Sequence, residues 1–226
     1  MPGTRRNGLL ALGGIALAAV LAVVGHLVVN DDLDPWSLTV SDFAVSDRGG
    51  VIDVAMALLA AATAVLIPAL RRTGSGSNPA RPGGDGRRLR VAGFFLAAWT
   101  AGLATAAVVP TNEPGLPMDT AAYLHRYASV IAFLALPVAG WLLAGQLGGR
   151  AAGWLRALTL ASLLLAGAMV WSAYPGDRML LGLVERLLIV AEVALLCVVA
   201  ATLVHPPGSR LAGAARRSAT AARPLT

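Results

Sequence analysis

The sequence has no lysine, a single cysteine, 5% aromatic residues and only 13% charged residues. Charge at about half the usual share excludes an ordinary soluble domain. The lone Cys197 lies inside an apolar segment and excludes an intrachain disulfide. All 18 basic residues are arginine, a compositional bias from which no chemistry follows. Three histidines, His26, His125 and His205, are too few and too far apart in the chain for a three-histidine metal site, since His205 falls at the opposite end of the bundle. The H-E-x-x-H, G-x-S-x-G and P-loop patterns are absent, and so is any motif that reads nucleic acid. No cofactor and no nucleic-acid partner is therefore expected. "DDLD" before Pro35 lacks the flanking ligands of a calcium loop.

What the sequence does have is apolar length. Hydrophobic residues make up 57% of it and the mean hydropathy is +0.70. Six apolar segments, 8–29, 51–70, 91–109, 121–144, 154–171 and 179–204, each approach the ~20 residues that cross a bilayer. They lack the alternation of barrel strands, so an all-α polytopic membrane protein is expected, a bundle of six transmembrane helices over residues 1–204. The first segment is long and has no small-x-small cleavage site, so it is expected to be a retained helix. No internal repeat relates the first three segments to the last three.

The net charge of +6 matters less than where it lies. Arg5 and Arg6, the arginines of 71–90, Arg150 and Arg156, and Arg210, Arg216, Arg217 and Arg223 fall on one side. Asp31, Asp32, Asp34, Asp42, Asp47, Glu113, Asp119 and Asp177 fall on the other, with Arg48 and Arg178. The positive-inside rule makes the arginine side cytoplasmic, which puts both termini inside and the protein in the cell membrane. Trp141 and Trp154 mark the inner boundary and Trp171 the outer one. Residues 71–90 are expected to be a flexible basic loop and 205–226 a disordered tail.

Ionisable residues gather at shallow depth on the acidic side. At ~1.5 Å per helical residue, Asp53 lies ~3 Å, His26 ~5 Å, His125 ~6 Å and Glu185 ~9 Å inside their helices. Each alone can snorkel, but together with Arg126 and Arg186 they form either an ion-pair network or a polar pocket. His125 and Ser129 share one helix face, with Arg126 turned ~100° away toward the headgroups. Pro137 is expected to kink this helix and open space at mid-depth. Glu192 lies ~20 Å down the last helix with no Arg or His at its depth. Ionised and facing lipid it would cost several kcal/mol, so it must face the interior, be protonated or meet water. Glu185 and Glu192 stand two turns apart on one face.

"VVPTNEPGLPMDTAAYLHRYASVIAFLALPVAGWLLA", "SDFAVSDRGGVIDVAMALLAAATAVL" and "GLVERLLIVAEVALL" resemble the uncharacterised six-helix family called domain of unknown function 998, or DUF998. The resemblance implies that His125, Glu185 and Arg186 are the family-like positions. It implies a distant kinship with lipid-linked membrane proteins of the Frag1, DRAM and Sfk1 type, and so a lipid prior without an activity. "PTNEP" departs from the pattern where an Asp near Asn112 is expected, so any acid role there passes to Glu113 or lapses.

Three readings follow. In the first, Asp53, His125, Arg126, Glu185, Arg186 and Glu192 include the lining of an outward-facing pocket for a lipid headgroup or small ligand, with membrane lipids as partners. In the second, His125 is a general base oriented by Asp53 or Glu185 in an enzyme acting on a lipid-like substrate, with no evident nucleophile. In the third, Glu192 relays protons in a transporter.

Overall fold

The protein is described by a computed structural model over residues 2–29, 31, 33–45, 50–74, 84–113 and 116–205. The helices are α1 (Pro2–Val24, continued by a π-helical turn Gly25–Val29), α2 (Val40–Val45), α3 (Gly50–Gly74), α4 (Gly84–Val108), α5 (Thr120–Ala144), α6 (Gly149–Ala173) and α7 (Leu181–Val204). No strand occurs among the described residues. Six of the helices are long and apolar enough to cross a membrane. The expected tail 206–226, the central part of the expected basic loop (75–83), and Asp32, Asp47 and Arg48 lie outside the described residues. Arg71 and Arg72 extend α3, and Arg87, Arg88 and Arg90 belong to the first turns of α4. Arginine is a good helix former, and a helix that has left hydrocarbon has no reason to stop at the interface.

The six long helices form a closed ring in which each packs on its neighbours: α1 on α3, then α4, α5, α6 and α7, with α7 returning to α1. Short connections force successive helices to run antiparallel, so the ring has an arginine-rich end and an acidic end. Contacts between distant residues fix that register. Asn7 donates to the Val65 carbonyl at 3.2 Å, and at Gly8 a Cβ would stand 2.9 Å from the Ala200 carbonyl oxygen. The start of α1 is thereby pressed against the ends of α3 and α7.

The two halves of the ring are filled differently. Leu66, Leu96, Leu136, Leu143, Leu155, Leu195, Leu196 and Val199 are buried in one cluster, and all project from the arginine-rich half. Among the described residues no such cluster fills the acidic half. There the axis is open and its mouth is crossed by residues 34–45, which include the short α2. Dense packing in one half makes the ring rigid while leaving room in the other.

Pro137 is buried within α5, which remains helical across it, and its carbonyl accepts from Thr159 Oγ1 at 3.4 Å. Phe133, one turn earlier on the same face, lines the free space together with Ser129 and Ala132.

Helix α4 meets α5 closely at Gly102, where a Cβ would stand 2.6 Å from the Ala128 carbonyl oxygen and 3.2 Å from the Ala132 nitrogen. Backbone cannot yield there as a flexible side chain could. Gly102→Val should therefore separate the two helices and destabilise the protein by about 1–3 kcal/mol, the usual cost of overpacking. Thermal unfolding of the detergent-solubilised protein measures this, and an unchanged midpoint would contradict the close α4–α5 contact.

Candidate functional site

The segment crossing the acidic end is shaped by its own side chains first. Asp34 accepts from the Trp36 amide at 3.1 Å, the Ser37 amide at 3.3 Å and the Ser37 hydroxyl at 2.5 Å, which makes a tight turn. The Ser37 hydroxyl, followed by the Trp36 amide, holds the Asp34 carboxyl below its ordinary value. Thr39 and Asp42 then form a reciprocal capping box on α2: the Asp42 carboxylate accepts from the Thr39 amide at 2.7 Å, and Thr39 Oγ1 accepts from the Asp42 amide at 3.2 Å. Asp42 also pairs with Arg178 at 3.8 Å, an exposed contact of little energetic weight.

Helix α7 supplies what the segment cannot supply for itself. Glu185, 4% exposed, accepts from the Val40 amide at 2.5 Å. Arg186 Nη1 donates to the carbonyls of Pro35 at 2.8 Å, Leu38 at 2.7 Å and Gly182 at 2.9 Å. Its guanidinium carbon lies 4.8 Å from the ring centre of Phe43, which is fully buried and stacked on His26 at 4.5 Å. A charged residue pair thus acts as a clamp on backbone, a favourable exchange where water is scarce. The turn that leads into α7 holds Asp177, Arg178 and Leu180 at positive φ, and Ser172 Oγ donates to the Met179 carbonyl.

His125 is 4% exposed and bonded at both ring nitrogens. Nδ1 stands 2.8 Å from the Val109 carbonyl, which can only accept, so Nδ1 carries the proton. In the neutral ring Nε2 is then an acceptor, and it receives the Ser41 hydroxyl at 3.0 Å. Asp53 is half-buried on α3 and interacts electrostatically with His125. His26 Nδ1 likewise donates to the Ala22 carbonyl at 2.7 Å.

Beneath this roof is a cavity of about 670 Å³. It is bounded by α1, α3, α4, α5 and α7, and its wall is almost wholly apolar: Ile15, Ala18, Ile52, Met56, Leu103 and Phe133 are typical. Polar groups occur at its two ends. Ser41, His26, Glu185 and Arg186 stand at the mouth, and Trp99 and Glu192 lie deep. Glu192 is 2% exposed, its Oε2 accepts from Trp99 Nε1 at 3.1 Å, and its Oε1 has no hydrogen-bond partner. Arg186 Nε and Nη2 are also buried without partners.

The structure therefore divides the residues that the sequence grouped. Glu185, Arg186 and Glu192 line one cavity, with Glu185 and Glu192 on one face of α7. His125 stands behind its wall and reaches it through Ser41, Asp53 is not on the wall, and Arg126 is exposed and joins neither. Sequence reasoning missed Ser41, Trp99 and Phe43. Ser41 and Phe43 belong to a short amphipathic helix that apolar-length criteria pass over, and Trp99 reads as ordinary membrane apolarity. No group of three or more His, Cys, Asp and Glu poised for a metal occurs among the described residues.

Residues 11–202 match the protein family described as "Protein of unknown function (DUF998)". No curated protein and no solved structure matches.

The Trp99–Glu192 bond is testable by itself. Glu192→Gln keeps an acceptor for the indole and should leave the unfolding midpoint in detergent nearly unchanged. Glu192→Leu strands a buried N–H and should cost about 1 kcal/mol, between the ~0.6 average and ~1.7 maximum for such bonds in membranes. A large loss with Gln would instead mean that an ionised carboxylate is paired with a cation.

Proposed function

The chain belongs to the DUF998 family, and we propose that within its membrane-spanning bundle the cavity holds the apolar part of a lipid or lipid-like molecule taken from the bilayer. One observation carries this reading: a space of about 670 Å³, within the range of small-molecule sites, is walled by hydrocarbon and has its few polar groups at the ends. A wall of this kind does not hold water, which needs two to four polar partners. It suits an acyl or isoprenoid chain. The same apolarity disfavours a water-filled proton path between Glu185 and Glu192.

The route in is lateral. Helices α1 and α7 touch closely at Gly8 and Ala200, but at the level of the cavity Val23, Leu27 and Val190 line the space while being 56%, 69% and 65% exposed. Side chains that face both the cavity and the lipid border an opening between the two helices. The arginine distribution makes the acidic end the outer one and the termini cytoplasmic, so the opening serves the outer leaflet of the cell membrane. A headgroup would remain near the roof, where Arg186 Nε and Nη2 are donors without partners. Glu185 and the bonded Nη1 of Arg186 hold the roof and do not form an open polar pocket.

Met56 lies on the cavity wall, and Met56→Trp should fill part of the space. Native mass spectrometry of wild-type protein incubated with a defined phosphatidylglycerol and phosphatidylethanolamine mixture should show a retained lipid that the variant retains at least about tenfold less. Equal retention by a folded Met56→Trp protein would defeat the reading.

A further inference from the structure

The roof contains a nucleophile and a base in the arrangement that acyl transfer requires. We infer that Ser41 and His125 form a catalytic pair that cleaves an ester of an apolar acyl chain held in the cavity, an activity that rests on the lipid-binding reading above. Three observations support it.

The first is the tautomer. The Val109 carbonyl fixes the proton of His125 on Nδ1, so Nε2 presents its lone pair to the Ser41 hydroxyl at 3.0 Å. This is the nucleophile–base contact with a third group orienting the base, the signature of an activated serine. A carbonyl orients the ring as a carboxylate would.

The second is placement. Ser41 is on the cavity wall, whereas His125 is 4% exposed behind it. A substrate in the cavity would meet the hydroxyl and not the ring, while Ser41, half-buried at the mouth, stays within reach of water from the acidic end. An ester between a chain in the cavity and a headgroup at the roof would lie at the level of Ser41.

The third is the unused donor edge of Arg186. Its Nη1 is engaged by carbonyls, including that of Leu38, three residues before Ser41, but Nε and Nη2 have no partners. Those two N–H groups lie on one edge of the guanidinium and can stabilise the oxyanion that develops on the ester carbonyl.

The steps balance as a two-stage hydrolysis. Ser41 Oγ bonds to the ester carbonyl carbon as its proton passes to His125 Nε2. The bond from that carbon to the alcohol oxygen breaks, and the proton goes from Nε2 to the leaving alcohol. Water then attacks the acyl-serine, gives one proton to Nε2 and its hydroxyl to the carbon, and the proton returns to Oγ. The products are an alcohol and a carboxylic acid, with no oxidant or reductant involved.

An alkyl fluorophosphonate tests the pair without knowledge of the natural ester, because it phosphonylates only activated serines. The full-length protein in lipid nanodiscs is treated with a dodecyl fluorophosphonate, and the adduct is located by peptide mass spectrometry. Stoichiometric labelling at Ser41 is expected, absent in Ser41→Ala and slowed at least about 100-fold in His125→Gln, the lower end of what a general base contributes. No labelling of folded wild-type protein, or labelling unaffected by His125→Gln, overturns the inference. Should His125→Gln fail to fold, the bell- or sigmoid-shaped pH profile of wild-type labelling decides: a rate independent of pH from 5 to 9 overturns the base role. Lipid retention that is lost in Met56→Trp while Ser41 stays unlabelled would sink the catalysis and leave the cavity reading intact.

Discussion

Backbone amides and carbonyls at the edge of hydrocarbon must find partners inside the protein, and at the acidic end of this bundle the groups that the crossing segment cannot satisfy for itself are met by two adjacent residues of α7. Residues 35–39 leave the helical pattern and Val40 opens the short α2, so their polar groups lack the intrahelical bonds that protect the rest of the chain. Glu185 takes the Val40 amide, and Arg186 takes the Pro35 and Leu38 carbonyls. With those groups satisfied, irregular chain can lie over the bundle axis. The axis beneath it can then stay free of side chains.

The fold was legible because its cause is one-dimensional. Twenty apolar residues in succession have one stable answer in a bilayer, and six such runs give six helices. The role of Glu192 was legible in part: its depth without a cation at that level required an interior position, and it is buried. Its partner was not legible, because Trp99 sits 93 residues away on a helix whose azimuth no linear pattern specifies. Arg126 was separable from His125 by the 100° turn between neighbours, and it is indeed exposed. Pro137 is a harder case, because its bond from Thr159 on α6 depends on tertiary packing that no local rule specifies.

The candidate site was less legible for a further reason. Glu185, Arg186 and His125 were visible as misfits in apolar helices, but misfit alone does not say whether a charge serves a ligand or the protein's own backbone. The answer depends on a loop of about a dozen residues whose sequence, with Asp34, Thr39 and Asp42, encodes its turns but not its destination. Ser41 acquires chemical meaning only once that loop is laid across His125.

The same clamp has a consequence for the order in which the molecule is made. The bonds from Glu185 and Arg186 to the roof join residues 145 to 151 positions apart, from the segment after α1 to the last helix of the bundle. A chain inserted from its N-terminus delivers residues 35–45 long before α7 exists. Until the last helix arrives, the Val40 amide and the Pro35 and Leu38 carbonyls have neither their final partners nor a closed ring beneath them. The central space is thus accessible throughout synthesis and is covered in the final step, so a lipid present during assembly can be enclosed without passing the lateral opening.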